Sequence, residues 1–233
     1  MNIISFDLNR SKELQEEKIK MEFILQDLLP QSVAEKLKNG LPIPPETFDS
    51  VTILFSDIVQ FTRISAAGTP LDVVRMLNMM YTLFDDIAAM YDVYKVATIG
   101  DAYFVASGVP TRNGDKHASE ICNMALALIN GIVQCSIPHI PGETLQMRIG
   151  IHTGSCVAGV AGIKMPRYLL FGETVDTASS MESEGKSMRI HISHTTKTLL
   201  ERTGHFDIEE RGRTTIKGLG ETTTFWLNGT RNI

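Results

Sequence analysis

An α/β (α+β) domain built in the order β-α-β-β-α-β is predicted by three observations in this 233-residue chain. Val51 to Phe55 is a continuous apolar run short enough to be a buried strand. Two strand-like runs, Tyr94 to Ile99 and Ala102 to Ala106, flank Gly100-Asp101, a dipeptide suited to a two-residue hairpin. Long stretches of helical spacing then lie on either side of that hairpin.

The first of these opens at Thr69-Pro70, an N-cap followed by a first-turn proline, with Asp72 three residues after the threonine. Leu71, Val74, Leu77, Tyr81 and Phe84 follow at helical spacing. A second helix is predicted from about Asp115 to Gln134, and a strand from Leu145 to His152 completes the set. This order is the ferredoxin-like or palm arrangement. Beyond it come a glycine-rich turn, a helix near Thr174 to Gly185, and short strands ending in Thr222 to Leu227. Ahead of the domain, Leu14, Met21 and Leu28 recur every seven residues within 11–38, the pattern of a short coiled-coil helix, or of an amphipathic helix packed on its own domain. Pro30 breaks the pattern, a short helix Ser32 to Lys38 ends at Asn39-Gly40, and Leu41 to Pro45 forms a proline-rich boundary. Residues 1–47 are therefore read as linker and coil, and 48–233 as the compact domain.

Composition narrows the class. Hydrophobic residues make up 43% and charged residues 21%, with 22 basic against 27 acidic side chains and a formal charge of −5, which argues against a basic nucleic-acid binder and a disordered tail. Three cysteines without C-x-x-C spacing suggest a reducing compartment and no disulfide framework. Met1 to Arg10 lacks the basic start and apolar block of a secretory signal. Ile121 to Gly142 carries no Asp, Glu, Lys or Arg, but Asn123, Asn130, Gln134, Pro138 and Pro141 interrupt it, so a buried helix and loop are expected.

Asp57 follows the first strand and Asp101 sits at the hairpin tip. If the hairpin lies beside that strand, the two carboxylates meet at one end of the sheet, where paired carboxylates can hold two magnesium ions for displacement at phosphorus. Taken alone, such aspartates are equally well read as turn formers. Glu184-Gly185-Lys186-Ser187 imitates the end of a P-loop, but Ser180 stands where that loop needs glycine, and a helix-ending glycine is the better reading. His191 and His194 have no partners at metal-ligand spacing.

Four longer motifs change the balance: Phe55-Ser-Asp-Ile-Val-Gln-Phe-Thr62, Tyr94-Lys-Val-Ala-Thr-Ile-Gly-Asp-Ala-Tyr103, Arg148-Ile-Gly-Ile-His-Thr-Gly154, and Lys164-Met-Pro-Arg-Tyr-Leu-Leu-Phe-Gly-Glu-Thr-Val-Asp-Thr-Ala178. Together they resemble the catalytic domain of class III nucleotide cyclases, specifically eukaryotic guanylate cyclases of the receptor-linked type. Leu-Leu-Pro-Gln-Ser-Val-Ala34 resembles the signalling helix that joins such domains to a sensor or membrane module.

The resemblance implies a head-to-tail dimer whose sites draw on both chains. Asp57 and Asp101 match the metal-binding carboxylates for two Mg²⁺ or Mn²⁺ ions, with the Ile58 carbonyl as a further ligand. Amides near Phe61 and Thr62 match a triphosphate-binding helix start, and Lys164 matches a position that reaches the phosphates. The other half departs from the pattern. Ala97 replaces the glutamate and Leu170 the cysteine that read guanine; Asp176 replaces the ribose-orienting asparagine and Ser180 the arginine at the α-phosphate; Lys217 is retained. Losses confined to one half suggest the metal-donating subunit of a heterodimer, as in soluble guanylate cyclases and the unlike halves of mammalian adenylate cyclases. It would form cyclic GMP and pyrophosphate from GTP with a complete cyclase chain as partner, and be inactive as a homodimer. The alternatives are an inactive cyclase-fold regulatory or dimerisation module, which would have no use for Asp57 and Asp101, and an active homodimer of unusual base specificity. A sensor upstream would place the domain on the cytoplasmic side of a membrane-anchored protein.

Overall fold

The computed structural model describes Gln15, residues 29–162 and residues 165–231. Most of the heptad stretch, including Leu14, Met21 and Leu28, lies outside these residues, as does Lys164. The chain divides into two compact units, Met1–Glu46 with Gly159–Leu169, and Thr47–Ala158 with Leu170–Ile233. In the first, helix α1 (Gln31–Lys38) follows Pro30 and ends at Asn39, with Val33 and Ala34 buried.

The second unit carries the predicted order. Strand β1 (Glu46–Ile58) leads to a short helix α2 (Phe61–Ala66) and then to α3 (Pro70–Ala88). The α3 start is a complete capping box: the Thr69 side chain accepts from the Asp72 amide while the Asp72 carboxylate accepts from the Thr69 amide. Next come the hairpin β2 (Tyr94–Ile99) and β3 (Ala102–Ser107), helix α4 (Lys116–Ile132) and strand β4 (Met147–Ala161). The chain continues through β5 (Arg167–Phe171), α5 (Glu173–Ser183), β6 (Ile190–Ile192), α6 (His194–Thr203), β7 (Phe206–Ile216) and β8 (Gly220–Thr230). The sheet runs β2-β3-β1-β4-β6-β8-β7, with β5 attached to β4. Its first four strands are the palm order expected from the sequence. None of the described helices is long and apolar enough to cross a membrane.

Several elements differ from expectation. The first strand runs 13 residues rather than five, and the last two strands run 11 each, because the β7–β8 hairpin pairs along its whole length. Helix α6 has no counterpart in the apolar pattern, since three threonines fill its first two turns. On α3 the core stripe is Met76, Met80, Phe84 and Ile87, while Leu71 and Val74 are 57% and 53% exposed. The methionines share the buried core with residues of α4 and β3; the leucine and valine stand on an adjacent face.

Strand alternation sorts the two faces of the sheet. Leu54 and Ile58 of β1, Tyr103 and Val105 of β3, and Met147, Ile149 and Ile151 of β4 join the core beneath α3 and α4. Phe55 of β1 and Phe104 of β3 stack on the opposite face, with ring centroids 4.3 Å apart. Arg148 and Gly150 of β4 share that opposite face, and α5 lies on it. A Cβ added at Gly150 would stand 1.9 Å from the Glu182 amide nitrogen, so only glycine lets the helix rest on the strand there.

This close approach generates a test. Gly150→Ala must push α5 off β4, and overpacking of this kind costs about 3 kcal/mol, or roughly 6–12 °C in melting temperature for a chain of this size. Gly229→Ala, where nothing lies within 4 Å, is the control and should move the melting temperature little. Equal shifts in the two variants would show that the approach at Gly150 is not limiting.

Candidate active site

Asp57 is the penultimate residue of β1 and Asp101 occupies the β2–β3 turn. Antiparallel pairing sets Phe55 opposite Phe104 and Ser56 opposite Tyr103, which carries the turn to the same sheet end as Asp57. The Ile58 amide donates to Asp101 Oδ2 at 3.3 Å, so the backbone between the aspartates is part of the contact. The turn is held from α3. Gly100 takes φ +64°, and its carbonyl accepts from the Tyr81 hydroxyl. One turn further along α3, Asp85 receives Lys95 Nζ and the Tyr103 hydroxyl, each at 2.7 Å.

The two carboxylates are close enough to perturb one another. Burial, followed by the hydrogen bond and negative charge of Asp57, pushes the Asp101 carboxyl up to about 6; the Ile58 amide partly opposes this. Arg148 supplies the positive charge: its Nη2 donates to Asp57 Oδ2 at 2.7 Å. The same guanidinium places Nε 2.7 Å from Glu182 Oε1, an ionic contact in which the N–H is not aimed at the oxygen, so neither atom has a hydrogen bond. Burial raises the Glu182 carboxyl to about 7 against the pull of Arg148.

Asp57, Asp101 and the Ile58 backbone form an oxygen-only set, the chemistry that suits Mg²⁺ or Mn²⁺. Among the described residues no cluster of three or more His, Cys, Asp or Glu could hold a metal ion. A donor set of two carboxylates and a carbonyl leaves coordination positions for phosphate oxygens. Phe61 and Thr62 begin α2 directly after this set, behind Gln60, whose φ of +60° and lack of a side-chain cap leave the first-turn amides open.

The second set of residues stands apart. Ala97 lies at the β2 bulge, half-buried, and Leu170 is buried in β5. Asp176 and Ser180 are one turn apart on α5, and the Lys217 amide donates to Ser180 Oγ at 3.0 Å. No described hydrogen bond or ion pair joins any of these four to Asp57 or Asp101. A cleft of about 440 Å³ is lined by Phe171, Thr174, Thr177 and Leu219 among others; it includes none of the four, though Phe171 follows Leu170 and Thr177 follows Asp176 in the chain. A cavity of about 540 Å³ between Tyr91, Asn123 and Asn228 includes no residue of either set.

Arg148, Glu182 and Tyr81 were not singled out from sequence. Arg148 carried a usable signal, a charge inserted into the alternating apolar run Met147, Ile149, Ile151; so did Glu182, a carboxylate beside the buried positions Ala178 and Met181.

Residues 43–229 match the family model described as the adenylate and guanylate cyclase catalytic domain. A receptor-type guanylate cyclase of Drosophila melanogaster is 54% identical over 229 residues, 98% of this chain and 15% of that protein. The guanylate cyclase domain of RhGC from Catenaria anguillulae, solved in complex with GTP, superposes with a TM-score of 0.75 at 38% identity, covering 80% of this chain and 100% of that one. An unconventional dimeric guanylyl cyclase domain of the RhoGC fusion protein from Blastocladiella emersonii gives 0.71 at 37% identity, covering 80% and 99%. The chain spans about a fifth of the length of the curated relatives it matches.

The raised Asp101 carboxyl fixes a sign for metal-free protein. A carboxyl held above its ordinary 3.8 favours the folded state while protonated, and that contribution is lost as pH rises through about 6. Asp101→Asn, which imitates the protonated acid at every pH, should therefore melt higher than the parent chain at pH 7.5 in chelator and no higher at pH 4. A gain of equal size at both pH values would show that repulsion at the carboxylate pair is not its source.

Proposed function

The chain belongs to the adenylate and guanylate cyclase catalytic domain family, and from that premise we propose that it is the metal-donating subunit of a guanylate cyclase heterodimer, converting GTP to cyclic GMP and pyrophosphate beside a complete cyclase chain. The observation that carries this reading is an asymmetry. Asp57, Ile58 and Asp101 converge at one sheet end, while α5 presents an exposed Asp176 and a Ser180 tied to the Lys217 amide, without a cation.

In the working site the ribose 3′-hydroxyl attacks the α-phosphorus in line and pyrophosphate leaves. Asp57, the Ile58 carbonyl and Asp101 would hold two divalent ions, Mg²⁺ or Mn²⁺. When bound, these would supply electrophilic activation of the attacking hydroxyl and charge screening of the leaving group. The amides at Phe61 and Thr62 receive the triphosphate, whose charge suits a helix start, and Lys164 adds a cation from the same chain. The partner contributes guanine recognition and the groups that meet charge at the α-phosphate. The converse site, built on Ala97, Leu170, Asp176 and Ser180, is inactive. Loss of one positioned donor removes about 2.7–4 kcal/mol of transition-state stabilisation, or roughly 100- to 1000-fold in rate, and the Asp176 carboxylate repels polyphosphate.

The choice of GTP follows the relatives: one is a receptor-type guanylate cyclase, and another was solved with GTP. We assign residues 48–233 to the catalytic domain and 1–47 to a linker and signalling coil. An upstream sensor is expected in the full-length protein, with this domain on the cytoplasmic side of a membrane.

Two measurements test the assignment. Co-expressed with a complete cyclase chain, the protein should form cyclic GMP, and Asp57→Asn should lower that rate at least about 100-fold; activity that survived unchanged would favour a purely regulatory module. Alone with Mn²⁺ and GTP the protein should be silent, whereas the combination Ala97→Glu, Leu170→Cys, Asp176→Asn and Ser180→Arg should give an active homodimer. Robust turnover by the unsubstituted chain, or silence of a correctly dimerised quadruple variant, would overturn the heterodimer reading.

A further inference from the structure

We propose that Arg148 is a positioning residue of the metal site: it holds Asp57 in the metal-free chain and passes to Glu182 when a divalent cation takes the carboxylates, so that helix α5 registers the cation. The inference rests on Asp57 and Asp101 being the metal-binding pair.

The contacts of Arg148 are unequal. Its bond to Asp57 is formed, Nη2 to Oδ2 at 2.7 Å. Its approach to Glu182 is equally short, yet Nε and Oε1 are both buried and neither has a hydrogen-bond partner. Nη1 reaches the Ser183 carbonyl at 3.4 Å, which keeps the guanidinium against the C-terminal end of α5. A buried donor and a buried acceptor in contact but misaligned have free energy to gain from a small rotation. What prevents that rotation is the claim of Asp57 on the same planar group, whose donors lie in a fixed fork.

A divalent cation at Asp57 and Asp101 reverses the local charge and repels the guanidinium. Glu182 is the other carboxylate that Arg148 touches, so it is where the guanidinium goes. The lever is short and stiff. Gly150 allows the Glu182 backbone to rest directly on β4, two residues from Arg148. Asp176 and Ser180 lie on the same helix, six and two residues before Glu182. Metal occupancy in one site is thereby linked to the helix that this chain offers to the other site of a dimer.

The experiment is Mn²⁺ titration of the isolated chain without nucleotide, followed by electron paramagnetic resonance of free Mn²⁺. Asp57→Asn must lose binding; if the parent chain binds no Mn²⁺, or Asp57→Asn binds equally well, the metal-donating assignment itself fails. Given binding, Glu182→Gln deprives Arg148 of its charged destination and should weaken Mn²⁺ about tenfold or more, the usual scale for an outer-shell partner. Arg148→Gln should bind at least as tightly as the parent, and the double variant should match Arg148→Gln. Parent-like affinity in Glu182→Gln, or an equal loss when Arg148 is already replaced, would overturn the inference. Should Arg148→Gln not fold, hydrogen exchange decides the matter. Mn²⁺ should slow exchange of the α5 amides in the parent chain and not in Glu182→Gln; no change in the parent would overturn the proposal.

Discussion

Two carboxylates side by side at the end of a sheet repel each other, and much of the surrounding structure answers that repulsion. Burial of Asp101 worsens it, so the fold supplies relief on each side: the Ile58 amide to Asp101, the Arg148 guanidinium to Asp57. The pair is nonetheless held, because the β1–β3 ladder and the Phe55–Phe104 stack leave the turn no other place to go. Tyr81 and Asp85 anchor the hairpin from behind. A mobile loop bearing Asp101 would relax by swinging away. Rigidity keeps the repulsion in place, which is the state a divalent cation relieves most.

Charge is distributed unevenly over the rest of the molecule. The guanidinium nearest the carboxylates is balanced on its other side by Glu182. At the position where a cation would serve phosphate chemistry on α5, Ser180 instead accepts a hydrogen bond from the Lys217 backbone. That bond secures the turn after β7 to the helix.

Local signals in the chain were readable where punctuation was strong. Thr69-Pro70 with Asp72, and Gly100-Asp101 between two β-rich runs, specify a cap and a turn by short-range hydrogen bonding and backbone geometry alone. The pairing of Asp57 with Asp101 followed from topology once the β-α-β-β order was read. Helix α6 was missed because its stripe is threonine-rich; its marks are the Ser193 cap and Gly204 in the left-handed region. Of the expected α3 positions, Phe84 is in the core and Leu77 and Tyr81 pack against it, while Leu71 and Val74 are exposed for a similar reason. Leu71 and Val74 match helical spacing, but only packing against α4 selects the methionine face. The Arg148–Glu182 contact joins residues far apart in sequence and depends on a clearance at Gly150 that no periodicity reports.

That clearance also bears on how such a domain can be remodelled. With no room for a single methyl group between β4 and the Glu182 backbone, the strand and helix behave as one mechanical part. Transplanting the nucleotide-facing surface of another cyclase onto this scaffold therefore means exchanging a cassette, with Arg148, Gly150 and Glu182 travelling together. A graft that took the helix without its strand would import one complement of side chains and the wrong seat for it.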